Sequence, residues 1–147
     1  MKEKVRFIAL PIVLLLIAFL GRLIMGSQGV SYEVANRVFS MVILQIHLAL
    51  VWGAFARKYK GYGFGAALAV GFLIGLVNQV LIFAATAGSY MAGAKTYFNY
   101  PEALGVKAEV DFAQAMTIRA TGLAVNCALS TVAAGVGAAL SFLIPQK

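Results

Sequence analysis

Cysteine and histidine each occur once in this 147-residue chain, and only five residues are acidic. The lone cysteine, Cys127, excludes an internal disulfide and a Cys-x-x-Cys redox pair. Its small apolar side chain suits a packed helix. The lone histidine, His47, excludes bis-histidine haem ligation within one copy and the His-Glu-x-x-His zinc pattern. No residue pattern therefore specifies a metal or a cofactor. The few carboxylates all fall outside the apolar runs, which argues against a pump driven by paired intramembrane acids. There is no phosphate-cradling loop with a following lysine. Gly61-Tyr-Gly-Phe-Gly65 is glycine-rich but sits between two apolar runs. A hydrophilic domain, a low-complexity linker and an internal repeat are all missing.

What is present is apolar. Hydrophobic residues make up 62% of the chain and charged residues 12%, and mean hydropathy is +0.90. Those values belong to the membrane class. Four apolar runs, at about 7–25, 38–55, 64–87 and 122–144, are near or above the length a helix needs to cross a hydrocarbon core of about 30 Å. Four such helices in a soluble protein would leave too little polar sequence to cover them. The expected fold is all-α, a polytopic membrane protein forming one four-transmembrane-helix bundle. The first run starts like a secretion signal, but it is long for one and Gly21-Arg22 offers no small-x-small cleavage pattern. A retained helix is expected, with Pro11 near its start, where the missing N–H matters least.

The net charge of +7 lies beside the spans, and no alternating basic and aromatic run suits a nucleic-acid backbone. Membrane lipids are the expected partners of this charge, not nucleic acid. Lys2, Lys4 and Arg6, then Arg57, Lys58 and Lys60, then Lys147 mark one side. The other side mixes Arg22, Arg37, Lys95, Lys107 and Arg119 with Glu33, Glu102, Glu109 and Asp111. This bias favours both termini in the cytoplasm, and helical spans favour a bacterial inner membrane. The connection at 56–63 reads as a tight hairpin. The one at 26–36 reads as a turn with Ser31 as a helix cap. The external connection at about 88–111 carries Tyr90, Tyr97, Phe98 and Tyr100, rings that sit well at headgroup depth, and part of the segment 90–100 is expected to lie along the outer surface.

Small residues recur at helical spacing. Gly63, Ala67, Gly71 and Gly75 form one stripe in the third span. In the fourth, Ala120, Ala124 and Ala128 form another, and Ala133, Gly137 and Ser141 a third. Such stripes let backbones approach closely in lipid. They predict tight contact between spans three and four, or an interface with further subunits or copies of the chain. The first span, bulky all round, is expected to face lipid over most of its circumference.

Polar side chains at membrane depth are the best pointers to function. On a continuous second helix Asn36, Ser40 and His47 share a face, with Arg37 beside it and Gln45 nearly opposite His47. Asn78 and Gln79 lie in the third span, and Arg119 and Asn126 share a face of the fourth. With Arg22 these residues converge on the outer half of the bundle. Arginines and amides together can hold a carboxylate, phosphate or lipid headgroup. They can equally snorkel to headgroups or pair with nearby acids. His47 suits a proton relay, a metal ligand completed by a partner chain, or a neutral imidazole bonded across helices. On this pattern the first expectation is a small accessory or structural subunit of a larger membrane assembly. The alternatives are a homo-oligomeric channel or transporter for a small solute and an integral membrane enzyme acting on a lipid-like substrate.

Overall fold

The computed structural model describes residues 2–144, with side chains from residue 6 onward. Lys147 and the side chains of Lys2 and Lys4, which entered the topology expectation, lie outside it. Helices run over Lys2–Ser27 (α1), Tyr32–Val38 (α2), Met41–Lys60 (α3), Phe64–Met91 (α4), Pro101–Leu104 (α5) and Phe112–Ala139 (α6), and a 3-10 turn follows at Leu140–Leu143. No strand occurs among the described residues. Four helical stretches are long and apolar enough to cross a membrane: Arg6–Ser27, Tyr32–Lys60, Phe64–Met91 and Phe112–Leu143. The fold is thus the all-α architecture of an integral membrane protein.

Short connections make neighbouring helices antiparallel. Gly61 ends α3 in the left-handed region (φ 62°), a conformation that costs glycine least, and α4 begins three residues later. The basic side chains Arg57, Lys58 and Lys60 occupy the last turn of α3, where they meet the negative end of its dipole. Phe7, near the start of α1, packs edge-on against Tyr62 with ring centroids 5.9 Å apart. Ala56, Ala67 and Ala138 lie under the same pair. One end of the bundle therefore gathers the start of α1, the α3–α4 hairpin and the end of α6. The connections at 28–31 and 92–111 form the other end.

Helix α6 sits in the groove between α3 and α4, and missing side chains make the groove. A Cβ on Gly71 would lie 2.5 Å from the Ser130 carbonyl oxygen, and one on Gly75 3.0 Å from Ser130 Cβ. On the α3 side, a Cβ at Gly53 would lie 2.6 Å from Ala134 Cα, and one at Gly137 2.8 Å from the Leu50 carbonyl carbon. Ala67 is fully buried on the same α4 stripe, but Gly63 has open space around it. Ala120, Ala124 and Ala128 face outward. Ser130 and the Asn126 backbone must meet α3, and Ala128 lies two residues from Ser130, about 200° around the helix.

The buried centre of the α1 packing face is the stripe Pro11, Leu15, Ala18 and Arg22, spaced four, three and four residues apart, and Ile8, Leu14 and Phe19 flank it half-buried. Leu10, Val13, Ile17, Leu20 and Ile24 are exposed. Pro11 lacks the N–H that would bond the Phe7 carbonyl four residues back. The Trp52 indole supplies the donor instead, with Nε1 2.7 Å from Phe7 O.

Candidate functional site

The second span is not one helix. It breaks at Phe39 (φ −126°, ψ 56°) and Ser40 (φ −72°, ψ 101°), and the Phe39 ring lies over Gly21, where a Cβ would be only 2.8 Å from it. The break ends the helical phase that put Asn36, Ser40 and His47 on one face. Asn36 turns toward α1, whereas His47 is exposed on the outside of α3, its Nδ1 2.8 Å from Ile43 O. Arg37 is also exposed. Ser31 occupies the N-cap position of α2 but makes no side-chain cap bond.

Two polar clusters result. The first ties three helices together near mid-bundle through Gln45, which the sequence places nearly opposite His47. Gln45 is 0% exposed. Its Nε2 donates to Ser130 Oγ (2.6 Å) and to Asn126 O (2.9 Å). Its Oε1 accepts from Asn78 Nδ2 (2.5 Å) and Gln79 Nε2 (2.9 Å). Asn78 Nδ2 also reaches Met41 O at 3.2 Å. Asn126 contributes its backbone carbonyl to this network. The signal for Gln45 was available: an amide in the middle of an apolar span must find partners, and Met41, Gln45, Leu48 and Ala49 are spaced as one buried stripe.

The second cluster lies at the connection end. In the connection at 92–111, Tyr97 and Phe98 are each 3% exposed and fold into the mouth of the bundle. A turn held by Thr96 and Asn99 directs them inward: Asn99 Oδ1 accepts from Thr96 N (2.8 Å), and Thr96 Oγ1 accepts from Phe98 N (3.1 Å). The Tyr97 hydroxyl donates to Val30 O, linking the two connections. Arg119 clamps the turn from α6. Its Nη2 donates to Phe98 O (2.6 Å), Nη1 to Ala103 O (3.1 Å) and Nε to Thr86 Oγ1 (2.9 Å).

Arg22 ends the buried stripe of α1 and is 7% exposed. It makes one hydrogen bond, from Nη1 to Asn36 Oδ1 at 3.2 Å. Its guanidinium carbon lies 5.2 Å from the Tyr32 ring centroid and 5.8 Å from that of Phe98. Its buried Nε has no partner. Arg22 and Arg119 both line a cavity of about 230 Å³ together with Tyr32, Asn36, Ser40 and Phe98, and no carboxylate lines it. Among the described residues neither arginine makes an ion pair. The acids of this end point elsewhere: Glu33, Glu102 and Asp111 are exposed, and Glu109 pairs with Lys95 at 2.6 Å.

A buried guanidinium with unused donors and no counter-charge is costly. Ring faces offset part of that cost. Guanidinium donors that line a cavity can hold an anionic group. Of the residues singled out from sequence, Arg22, Asn36 and Arg119 meet here, Asn78, Gln79 and the Asn126 backbone meet around Gln45, and Arg37 and His47 join neither group. No family model, curated protein or solved structure matches the chain.

Proposed function

We propose that this protein binds the anionic group of a membrane-accessible ligand in the Arg22–Arg119 cavity. One observation carries the proposal: Arg22 is buried at 7% exposure with an unpartnered Nε, in a cavity without a carboxylate. At about 230 Å³ the cavity is smaller than the roughly 300–1,000 Å³ of sites that enclose a whole drug-sized molecule. It suits a headgroup, with the rest of the ligand outside. Arg119, fixed by Thr86 and two carbonyls, supplies rigid positive charge, and Arg22 supplies free donors. An enzyme acting on a lipid-like substrate would use the same cavity, where Tyr32 and Tyr97 are the phenol-bearing residues of the lining. A solute route through one copy lacks support, because His47 lies outside the bundle and the Gln45 network closes its middle.

The test is thermal unfolding of purified protein in uncharged detergent, with and without an anionic amphiphile. The wild type is expected to be stabilised by the anion. Arg22→Met is expected to lose that rise while keeping or raising its ligand-free midpoint, because the change removes an uncompensated buried charge. An equal anion-dependent rise in both proteins would overturn the proposal.

A second reading, an accessory or structural subunit in a bacterial inner membrane, is supported by the outward-facing stripe Ala120, Ala124 and Ala128. Small residues of this kind suit a helix of another subunit or copy. Native mass spectrometry of gently extracted protein tests it. Co-purifying polypeptides support an assembly, and a bare monomer argues against it.

A further inference from the structure

Resting on the anion-site proposal, we infer that the group held is a phosphoryl group, gripped jointly by Arg22 and by the uncapped amino terminus of α3. The break at Phe39–Ser40 places a helix start inside the bundle. Helix α3 is 20 residues long, and its N-cap Ser40 makes no side-chain cap bond. The first return bond is Leu44 N to Ser40 O at 2.9 Å. Among the described residues no acceptor outside α3 takes the N–H groups of Met41, Val42 or Ile43. Ser40, Met41 and Val42 line the same cavity as Arg22. A helix start carries about half a positive charge and a set of free N–H donors, which together form an anion seat. The independent sign of a ligand is Arg22 itself. It is buried, it faces this cavity, and only one of its N–H groups is hydrogen-bonded.

The donors converge from separate elements: Arg22 from α1, the first turn of α3, and the charge of Arg119 from α6. A carboxylate offers two oxygens in one plane, which a single guanidinium edge satisfies. A phosphoryl group offers three terminal oxygens in three directions and carries up to two negative charges, a better match to two guanidinium groups and a helix start. Broken membrane helices present their half-helix starts to anionic substrates in the same way. The chemistry is shared by a lipid phosphate headgroup and by free phosphate, and the experiment separates these sources.

Purified protein in phosphorus-free detergent is titrated with dodecyl phosphate, inorganic phosphate and dodecanoate. The phosphoryl ligand is expected to bind at least about tenfold tighter than the carboxylate of equal chain length, about 1.4 kcal/mol. Preference for dodecyl phosphate over inorganic phosphate supports a lipid headgroup as the source, and equal binding supports free phosphate. Equal binding of dodecyl phosphate and dodecanoate, lost in Arg22→Met, would overturn the phosphoryl inference and leave the anion site standing. Absence of any anion binding would remove both. Ser40→Asp tests the helix start together with the charge of the cavity that Ser40 lines. A carboxylate at the N-cap stabilises the helix but occupies its donors and repels an anion, so the midpoint should hold or rise while phosphoryl binding weakens about tenfold. Undiminished binding in Ser40→Asp would exclude the α3 terminus from the site.

Discussion

At Phe7 the chain's own sequence removes a hydrogen bond, because Pro11 has no N–H to return to that carbonyl. Trp52, on another helix, restores it. The two residues are therefore coupled through one carbonyl. Trp52→Phe is expected to destabilise the protein by about 1 kcal/mol. In a Pro11→Ala background, where residue 11 regains its N–H, the same change should cost much less. A double-mutant cycle by unfolding in mixed micelles measures the coupling, and additive effects would refute it. Gln45 is a second such residue. Gln45→Leu leaves donors of Asn78 and Gln79 without their acceptor and should cost about 2 kcal/mol. His47→Leu, outside the bundle, should stay within about 0.5 kcal/mol.

Among the elements, α6 is held by shape. Gly53→Ala and Gly137→Ala would drive a methyl into facing backbone, which cannot move aside as a side chain can. Each should cost about 3 kcal/mol or prevent folding, whereas Gly63→Ala, in open space at φ −63°, should be neutral. The connection at 92–111 is tied at its surface by Lys95 and Glu109, which are 75% and 73% exposed. The hydrogen bond and charge of Lys95 hold the Glu109 carboxyl below its ordinary 4.5. Glu109, by the same means, holds Lys95 above its ordinary 10.5. A lowered acid contributes stability above its ordinary value and loses it as pH falls through the folded value. A raised base contributes below its ordinary value and loses it as pH rises through the folded one. The contribution of the pair should therefore be flat between the two ordinary values, fall away outside them, and be small throughout because it is exposed. Carboxyl chemical shifts of Glu109, with Lys95→Met as reference, check the direction. The spans were legible from the length of their apolar runs, and the largely exposed surface of α1 from its bulky residues, because hydrocarbon selects for both. The break at Phe39–Ser40 was not, because neither proline nor glycine marks it and the wedge of Phe39 on Gly21 is tertiary. The inward fold of Tyr97 and Phe98 was hidden for the same reason: aromatic rings suit headgroup depth and a packed mouth equally well, and only Arg119 and Val30 decide between them.

For the whole molecule, charge separates the two ends. Arg57, Lys58 and Lys60 crowd one hairpin, and the other end interleaves both signs. The positive-inside bias predicts that the hairpin faces the cytoplasm. In a Cys127→Ala background, Tyr59→Cys should resist a membrane-impermeant maleimide in intact cells, and Lys107→Cys should react. The reverse pattern would invert the topology. Polar residues at the mixed end were legible as a group, since Arg22, Asn36 and Arg119 all fall near the same ends of their spans. Which of them share a cavity depended on the α2–α3 break, which no window of hydropathy contains.

The wedge position of α6 also bears on how the chain is made. Two partners of Gln45 lie on the helix that leaves the ribosome after the other three. A nascent chain holding only α1–α4 therefore carries an amide with free donors and an open glycine groove into the bilayer. Such a chain would advertise its own incompleteness to intramembrane chaperones and proteases until α6 enters. Pulse-chase of a chain stopped at residue 111 should show rapid turnover, slowed when Gln45→Leu, Asn78→Leu and Gln79→Leu together remove the exposed amides, and equal half-lives would argue that the polar network is no such checkpoint.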